Sequence, residues 1–198
     1  MKPRRSVIDQ LGLVDNQPRG LYQMIEITQE PVVAIATAPD ISQQEDRLVV
    51  FTDGACSCNG SRHARAGYAV VWPNRRSLDT CKRLTGLEQT NNRAEFMALL
   101  EAQKIADRID PSRERPLYVY TDSELLINSV TKWLPGWKRN DWKKSNRKPV
   151  LNQDLLKGID ANPRPLIFKH VRAHTGRRDW ESMYNEEADR LARSTISQ

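Results

Sequence analysis

At 198 residues, 38% hydrophobic and with a mean hydropathy of −0.68, the chain can bury one ordinary core and carry an appendage beside it. No run of about 18 apolar residues is present to cross a membrane. The start, MKPRRSVIDQLG, has basic residues but no apolar stretch for a secretory signal, and Asp9 and Asp15 interrupt what a mitochondrial presequence would need.

The net charge of +6 is uneven: residues 1–46 hold four basic and seven acidic side chains, a net −3, so residues 47–198 carry +9. A basic body suits a polyanionic partner, because neutralising phosphates releases counterions. Cys56, Cys58 and Cys81 make no disulfide framework. The expectation is an intracellular protein, cytoplasmic or nuclear and not secreted. The C-x-C spacing of Cys56 and Cys58 also lacks the four well-placed ligands of a structural zinc site.

Residues 1–46 contain Pro3, Pro18, Pro31 and Pro39 and no sustained helical period, so they read as a partly disordered or loosely docked extension. Within it, VVAIA at 32–36 is a possible strand. From 47 the pattern sharpens into a domain reaching 198. LVVFT at 48–52 predicts a strand ending at Asp53, with GACSCNG supplying turn residues. AGYAVVW at 66–72 and residues 79–85 predict the next two strands. Residues 91–109 have helical composition and period, and LYVYT at 117–121 is a strand ending at Asp122. A helix over 123–134 follows, with Ser123 as its N-cap. A short helix over 151–159, a strand over 165–171 and a helix over 185–196 complete the chain. Three strands followed by alternating helices and strands imply one mixed sheet with helices on its faces, an α/β fold.

Two strands end in Thr-Asp before a small residue, FTDG at Asp53 and YTDS at Asp122. Acids just beyond apolar strands lie where open α/β sheets bind ligands, although an Asp there also opens turns and caps helices. Glu95 is more telling. Its helical neighbours at i+3, i+4, i+7 and i+11 are Ala98, Leu99, Ala102 and Ala106, so it lies on an apolar stripe. A buried carboxylate costs several kcal/mol unless a cation or a basic side chain pairs with it. Asp189, between Ala188 and Leu191, lies at the edge of another stripe or is simply solvated. Four such acids on one sheet suit hard cations with oxygen ligands, Mg²⁺ or Mn²⁺, and a pair of ions about 4 Å apart suits phosphodiester hydrolysis.

The segment 133–150 interleaves Trp133, Trp137 and Trp142 with Lys138, Arg139, Lys143, Lys144, Arg147 and Lys148, against the single acid Asp141. Cations among aromatics make a surface for phosphates and sugars or bases. Trp133, ending a helix, reads instead as an anchor to the core.

FTDGACSCNG, TNNRAE, YTDS, VRAHTG and NEEADRLAR, in this order and spacing, resemble the type 1 ribonuclease H family over about residues 47–196. The resemblance implies a ribonuclease H-like fold, a five-stranded mixed sheet flanked by helices. It implies an endoribonuclease cutting the RNA strand of RNA–DNA hybrids to 5′-phosphate and 3′-hydroxyl ends. Asp53, Glu95, Asp122 and Asp189 would hold two Mg²⁺ ions, with Mn²⁺ substituting, and His174 would assist proton movement or product release. Cys56, Cys58, Asn59, Asn91 and Asn92 match loops that touch RNA 2′-hydroxyls and phosphates, and only RNA offers that hydroxyl. Trp137, Lys138, Arg139, Trp142, Lys143 and Lys144 match the basic protrusion that grips DNA, and Thr90 and Asn152 match a DNA-phosphate site.

Three features depart from the family pattern. Glu88 stands where an arginine is often found in that phosphate site, residues 176–184 make a longer loop than usual, and residues 1–46 do not resemble the family's separate hybrid-binding module. A monomer with a hybrid as its partner is expected. Asp53-Gly54-Ala55 lacks the Asp-x-Glu of related exonucleases. A hybrid-binding protein without catalysis and a domain of a reverse transcriptase are the other readings. Intact acids at all four positions argue against the first, and the opening Met1 with no polymerase sequence argues against the second.

Overall fold

Apolar residues fill both faces of the strand that begins LVVF. This is β2, Leu48–Ser57, in a computed structural model that describes residues 34–35, 47–173 and 179–197. Leu48 and Val50 enter a core layer with Phe96 and Leu99, while Val49 and Phe51 enter another with Val171 and Ala188. A strand buried on both faces needs helices on both.

On one side β2 pairs antiparallel with β3, Arg65–Val71, which pairs antiparallel with β4, Thr80–Arg83. On the other it pairs parallel with β5, Leu117–Thr121, and β5 with β6, Leu166–His170. These are the five expected strands of a mixed sheet. A sixth, β1, comes from the VVAIA run: Ala34–Ile35 pairs parallel with Ile167 and Phe168 of β6, giving the order β1-β6-β5-β2-β3-β4. The N-terminal extension thus contributes to the sheet.

Helix α1, Asn91–Ile109, spans the expected residues and turns Ala94, Phe96, Leu99, Ala102 and Ala106 inward. Ser123 caps α2, Glu124–Asn128, as expected, its hydroxyl accepting from Leu126 N. The helix then widens into a π turn, Ser129–Trp133, and resumes as α3, Leu134–Arg139. Pro135, which has no N–H to donate, falls in the first turn of α3 directly after the π turn. Helix α4, Gln153–Asp160, packs on α1. Helix α5, Trp180–Ser194, packs on β2 and β3.

The helix expected to end at 134 runs on to Arg139, and two other boundaries differ in ways that bear on the site. Strand β2 does not end at Asp53. Pairing of Asp53 with Ala69, through to Ser57 with Arg65, carries it past the small residues that read as a turn. Helix α5 begins five residues early, because Asp179 caps it through Ser182 N, 2.9 Å away. Its first residues are held by aromatic packing: Trp180 lies 5.5 Å from Phe51 and 5.3 Å from Tyr120 between ring centroids. Residues 180–184 are therefore helix, not part of a long loop.

Far from these features, Arg164 is completely buried just before β6. Its guanidinium bonds to Asp107 at 3.0 Å, Asp110 at 2.7 Å and the carbonyls of Asp110 and Arg115. These bonds tie the C-terminal end of α1 to the start of β6.

Candidate active site

The β2–β5 pairing stops at Phe51 and Tyr120, while β2 continues along β3. Asp53 therefore stands where β2 has lost its parallel neighbour, at a point where the sheet changes from parallel to antiparallel. Asp122 follows the last residue of β5. The turn presenting it is fixed by Ser123 N donating to Thr121 Oγ1 at 3.1 Å. Glu95 comes from the first turns of α1, whose approach depends on Gly54: a Cβ there would lie 2.6 Å from Glu95 N and 2.9 Å from Ala94 Cβ. The glycine in FTDG thus lets the helix deliver its acid to the strand.

Asp53, Glu95 and Asp122 each place a carboxylate oxygen within 4.8 Å of the others. Asp53 and Glu95 are 4% and 3% exposed, and Asp122 is half-buried. Burial, then the charges of Asp122 and Asp189, pushes the Asp53 carboxyl up to about 8, partly opposed by the Gly54 N–H that donates to it at 2.8 Å. Glu95 is raised well above the carboxylate range by burial and by Asp53 and Asp122. Its Oε1 accepts from Asn91 Nδ2 at 3.5 Å, whereas its Oε2 is buried with no hydrogen-bond partner among the described residues. Three converging acids with an orphaned oxygen and no basic side chain among their hydrogen-bond partners in the described residues fit a hard divalent cation, which would supply the missing charge and accept the spare lone pairs.

Asp189 on α5 sits beside this trio, close enough to raise Asp53, but outside it. Its Oδ1 accepts from Arg193 Nε at 2.6 Å. His174 lies outside the described residues. His170, on the strand next to Asp122, was not singled out by its sequence context. The register Thr121 to His170 brings its Nε2 within 3.2 Å of the Asp122 carbonyl oxygen.

The remaining expected residues fall into three groups. Cys56 is half-buried at the end of β2, and Cys58 is exposed in the turn beyond, with φ of 49°. Asn59 Oδ1 accepts from Asn91 N at 3.4 Å, so one loop reaches the helix that carries Glu95. The second group lines a groove of about 410 Å³ with Asn92, Trp133, Trp137, Lys144 and Asn152 on its walls. Trp133 is 43% exposed, so it is not the anchor it was expected to be. Trp137 and Trp142 are the two that pack partly against the core. A third group stands outside the groove's lining. Lys138 pairs with Asp160, Lys143 with Asp141, and Trp142 lies under Lys157, while Arg139 is exposed.

Thr90 caps α1 by accepting from Arg93 N at 3.2 Å. Arg93 reaches Asn152 Oδ1 at 3.3 Å, Glu88 at 3.3 Å and Asp154 at 2.5 Å. Arg93, not singled out before, thus bonds Thr90 through its backbone and gathers Asn152, Asp154 and the anomalous Glu88 around its guanidinium.

Buried acids meeting where a mixed sheet changes direction define an α/β domain with a carboxylate cluster that could hold a metal ion. The RNase H family model matches residues 45–197, and the chain belongs to that family, in its type 1 branch. It is 36% identical to human ribonuclease H1 over 204 residues, covering all of this chain and 65% of that protein. It is 39% identical to ribonuclease H of Marinobacter nauticus over 150 residues, 74% of this chain and 91% of that one. It spans 55% of the mouse and rat ribonucleases H1. Among solved structures, the PFV RNase H domain superposes with a TM-score of 0.56 at 26% identity, over 74% of this chain and 92% of that one. LC11-RNase H1, solved with an RNA/DNA hybrid, superposes with a TM-score of 0.51 at 21% identity, over 75% and 95%, which speaks to the fold alone. No helix among the described residues is long and apolar enough to cross a membrane.

Proposed function

We propose that this chain is an endoribonuclease that hydrolyses the RNA strand of RNA–DNA hybrids, leaving 5′-phosphate and 3′-hydroxyl ends, as a monomer in a reducing compartment. The observation that carries the reading is the trio Asp53, Glu95 and Asp122 around the unpartnered Glu95 Oε2. With Asp189 these acids would hold two Mg²⁺ ions, Mn²⁺ substituting. The ions would supply an acidified water to attack phosphorus and positive charge for the leaving 3′-oxygen.

The chain's own residues do the rest. Asn59 and Asn91 meet beside Glu95, where amide groups can bond to the 2′-hydroxyl that only RNA presents. Cys56 and Cys58 flank that loop. Asn92, Trp133, Trp137, Lys144 and Asn152 line a groove suited to the sugars and phosphates of the other strand. Lys138, Arg139 and Lys143 add to the positive rim, Trp142 adds an aromatic face to it, and Thr90 with Arg93 offers a phosphate contact that Glu88 weakens. His174 moves a proton or helps product leave. Residues 1–46 form an extension and 47–198 the catalytic domain.

The test is a labelled hybrid incubated with Mg²⁺, with Mn²⁺ and with chelator. Cutting of the RNA strand only in the presence of metal is expected, and equal cutting of single-stranded RNA would overturn the assignment.

A further inference from the structure

Asp189 is the outlier among the four acids. Asp53, Glu95 and Asp122 converge within 4.8 Å, while Asp189, whose carboxyl meets that of Asp53, is also bound by Arg193 one helical turn away. Its side chain is 24% exposed and the arginine's 61%. The contact of Asp189 with the Asp53 side chain places it within reach of the trio. A cleft of about 610 Å³ runs beside the pair, lined by Gly54, Ser57, Asn91, Asp189 and Arg193, and gives the guanidinium room to swing away.

We propose that Arg193 is a positioning residue that holds Asp189 in reserve. The arginine offsets the negative charge that Asp189 brings beside two acids already buried together. Asp189 would be shared between Arg193 and a cation held by the trio, and the guanidinium would have the cleft to move into. The ion pair therefore lowers the affinity of whichever cation needs the fourth carboxylate. The proposal rests on the metal reading given above, and it assigns to this chain a partner exchange within that site. An exposed i, i+4 pair is weak, so the exchange lies within the reach of a bound cation, and its loss tightens binding by about two- to fivefold.

The experiment is a double-mutant cycle read by Mn²⁺ binding in the absence of nucleic acid, using the full chain, Arg193→Gln, Asp189→Asn and the double variant. Arg193→Gln is expected to tighten the weaker Mn²⁺ step two- to fivefold, and to have no effect once Asp189 is Asn. In parallel, the Arg193 Nε–H resonance is expected to shift as Mg²⁺ is added to the wild type. Equal tightening by Arg193→Gln in both backgrounds would show a general charge effect and overturn the exchange alone, as would an Nε–H resonance indifferent to Mg²⁺. Absence of Mn²⁺ binding from all four proteins would overturn the metal reading together with it.

Discussion

Two buried clusters of charge lie at opposite ends of α1, and they are built on contrary principles. At the C-terminal end Arg164 is fully enclosed, and every acid around it is answered by a donor. There the guanidinium, with Ser112 and the Arg115 N–H, holds the Asp110 carboxyl down to about 2. At the N-terminal end Asp53 and Glu95 are as deeply buried, but their neighbours are other acids, and their carboxyls are driven up. The first arrangement closes on itself. The second is complete only with positive charge from outside. Burial is common to both, and the sign of the surrounding charge separates a cluster that holds the fold from one that holds a ligand.

The largest expected effect breaks the open cluster. Asp122→Asn removes a ligand charge and lowers cleavage of a hybrid by at least a thousandfold, about 4 kcal/mol or more in the barrier, while hybrid binding persists. Single-turnover cleavage and equilibrium binding, measured side by side, check it, and activity within a few-fold of wild type would contradict the assignment. Next comes the closed cluster. Arg164→Met strands Asp107 and Asp110, and chemical denaturation is expected to show a loss of about 3 kcal/mol.

A third experiment sets the clusters against each other in pH. Asp53 has a raised carboxyl, so its burial costs the metal-free protein stability progressively as pH rises from about 4 through about 8. Asp53→Asn should therefore stabilise the chelated protein at pH 8, by about 2 kcal/mol, while abolishing cleavage. The Asp110 contribution has the opposite sign: complete at neutral pH, it is lost as pH falls below about 4 toward 2. Melting curves in chelator across pH 3 to 9 separate the two. The smallest effect belongs to charges that lie at the surface. Replacing Lys138, Lys143 and Lys144 together with Gln should raise KM by about tenfold and flatten its salt dependence, with kcat little changed. A fall in kcat at constant KM would show that these lysines do something else.

Local signals carried much of this structure. The Ala- and Leu-rich period of residues 91–109 and the apolar run at 117–121 match α1 and β5 end to end, and Glu95 betrayed itself by lying on an apolar stripe. What was hidden depended on partners distant in sequence. Gly54, Ala55, Cys56 and Ser57 read as a turn because no local feature reveals that β3 will pair with them. Trp180 and Tyr184 read as loop because their helix is anchored by Phe51 and Tyr120. Arg164 has no pattern around it, since its acids lie more than fifty residues earlier. Trp133 was read as the core anchor for the same reason: composition shows that a segment is aromatic but not which ring meets the core.

The pairing of Ala34 and Ile35 with β6 has a practical consequence. Composition invites a cut at residue 47, where the acidic extension gives way to the basic body. Such a cut would remove the neighbour of Ile167 and Phe168 and leave the outer edge of β6 with main-chain groups facing water. An uncovered parallel edge is a template for a foreign strand. A shortened protein is therefore expected to self-associate more readily than the full chain, and a cut before residue 31 is the better starting point for comparing the two.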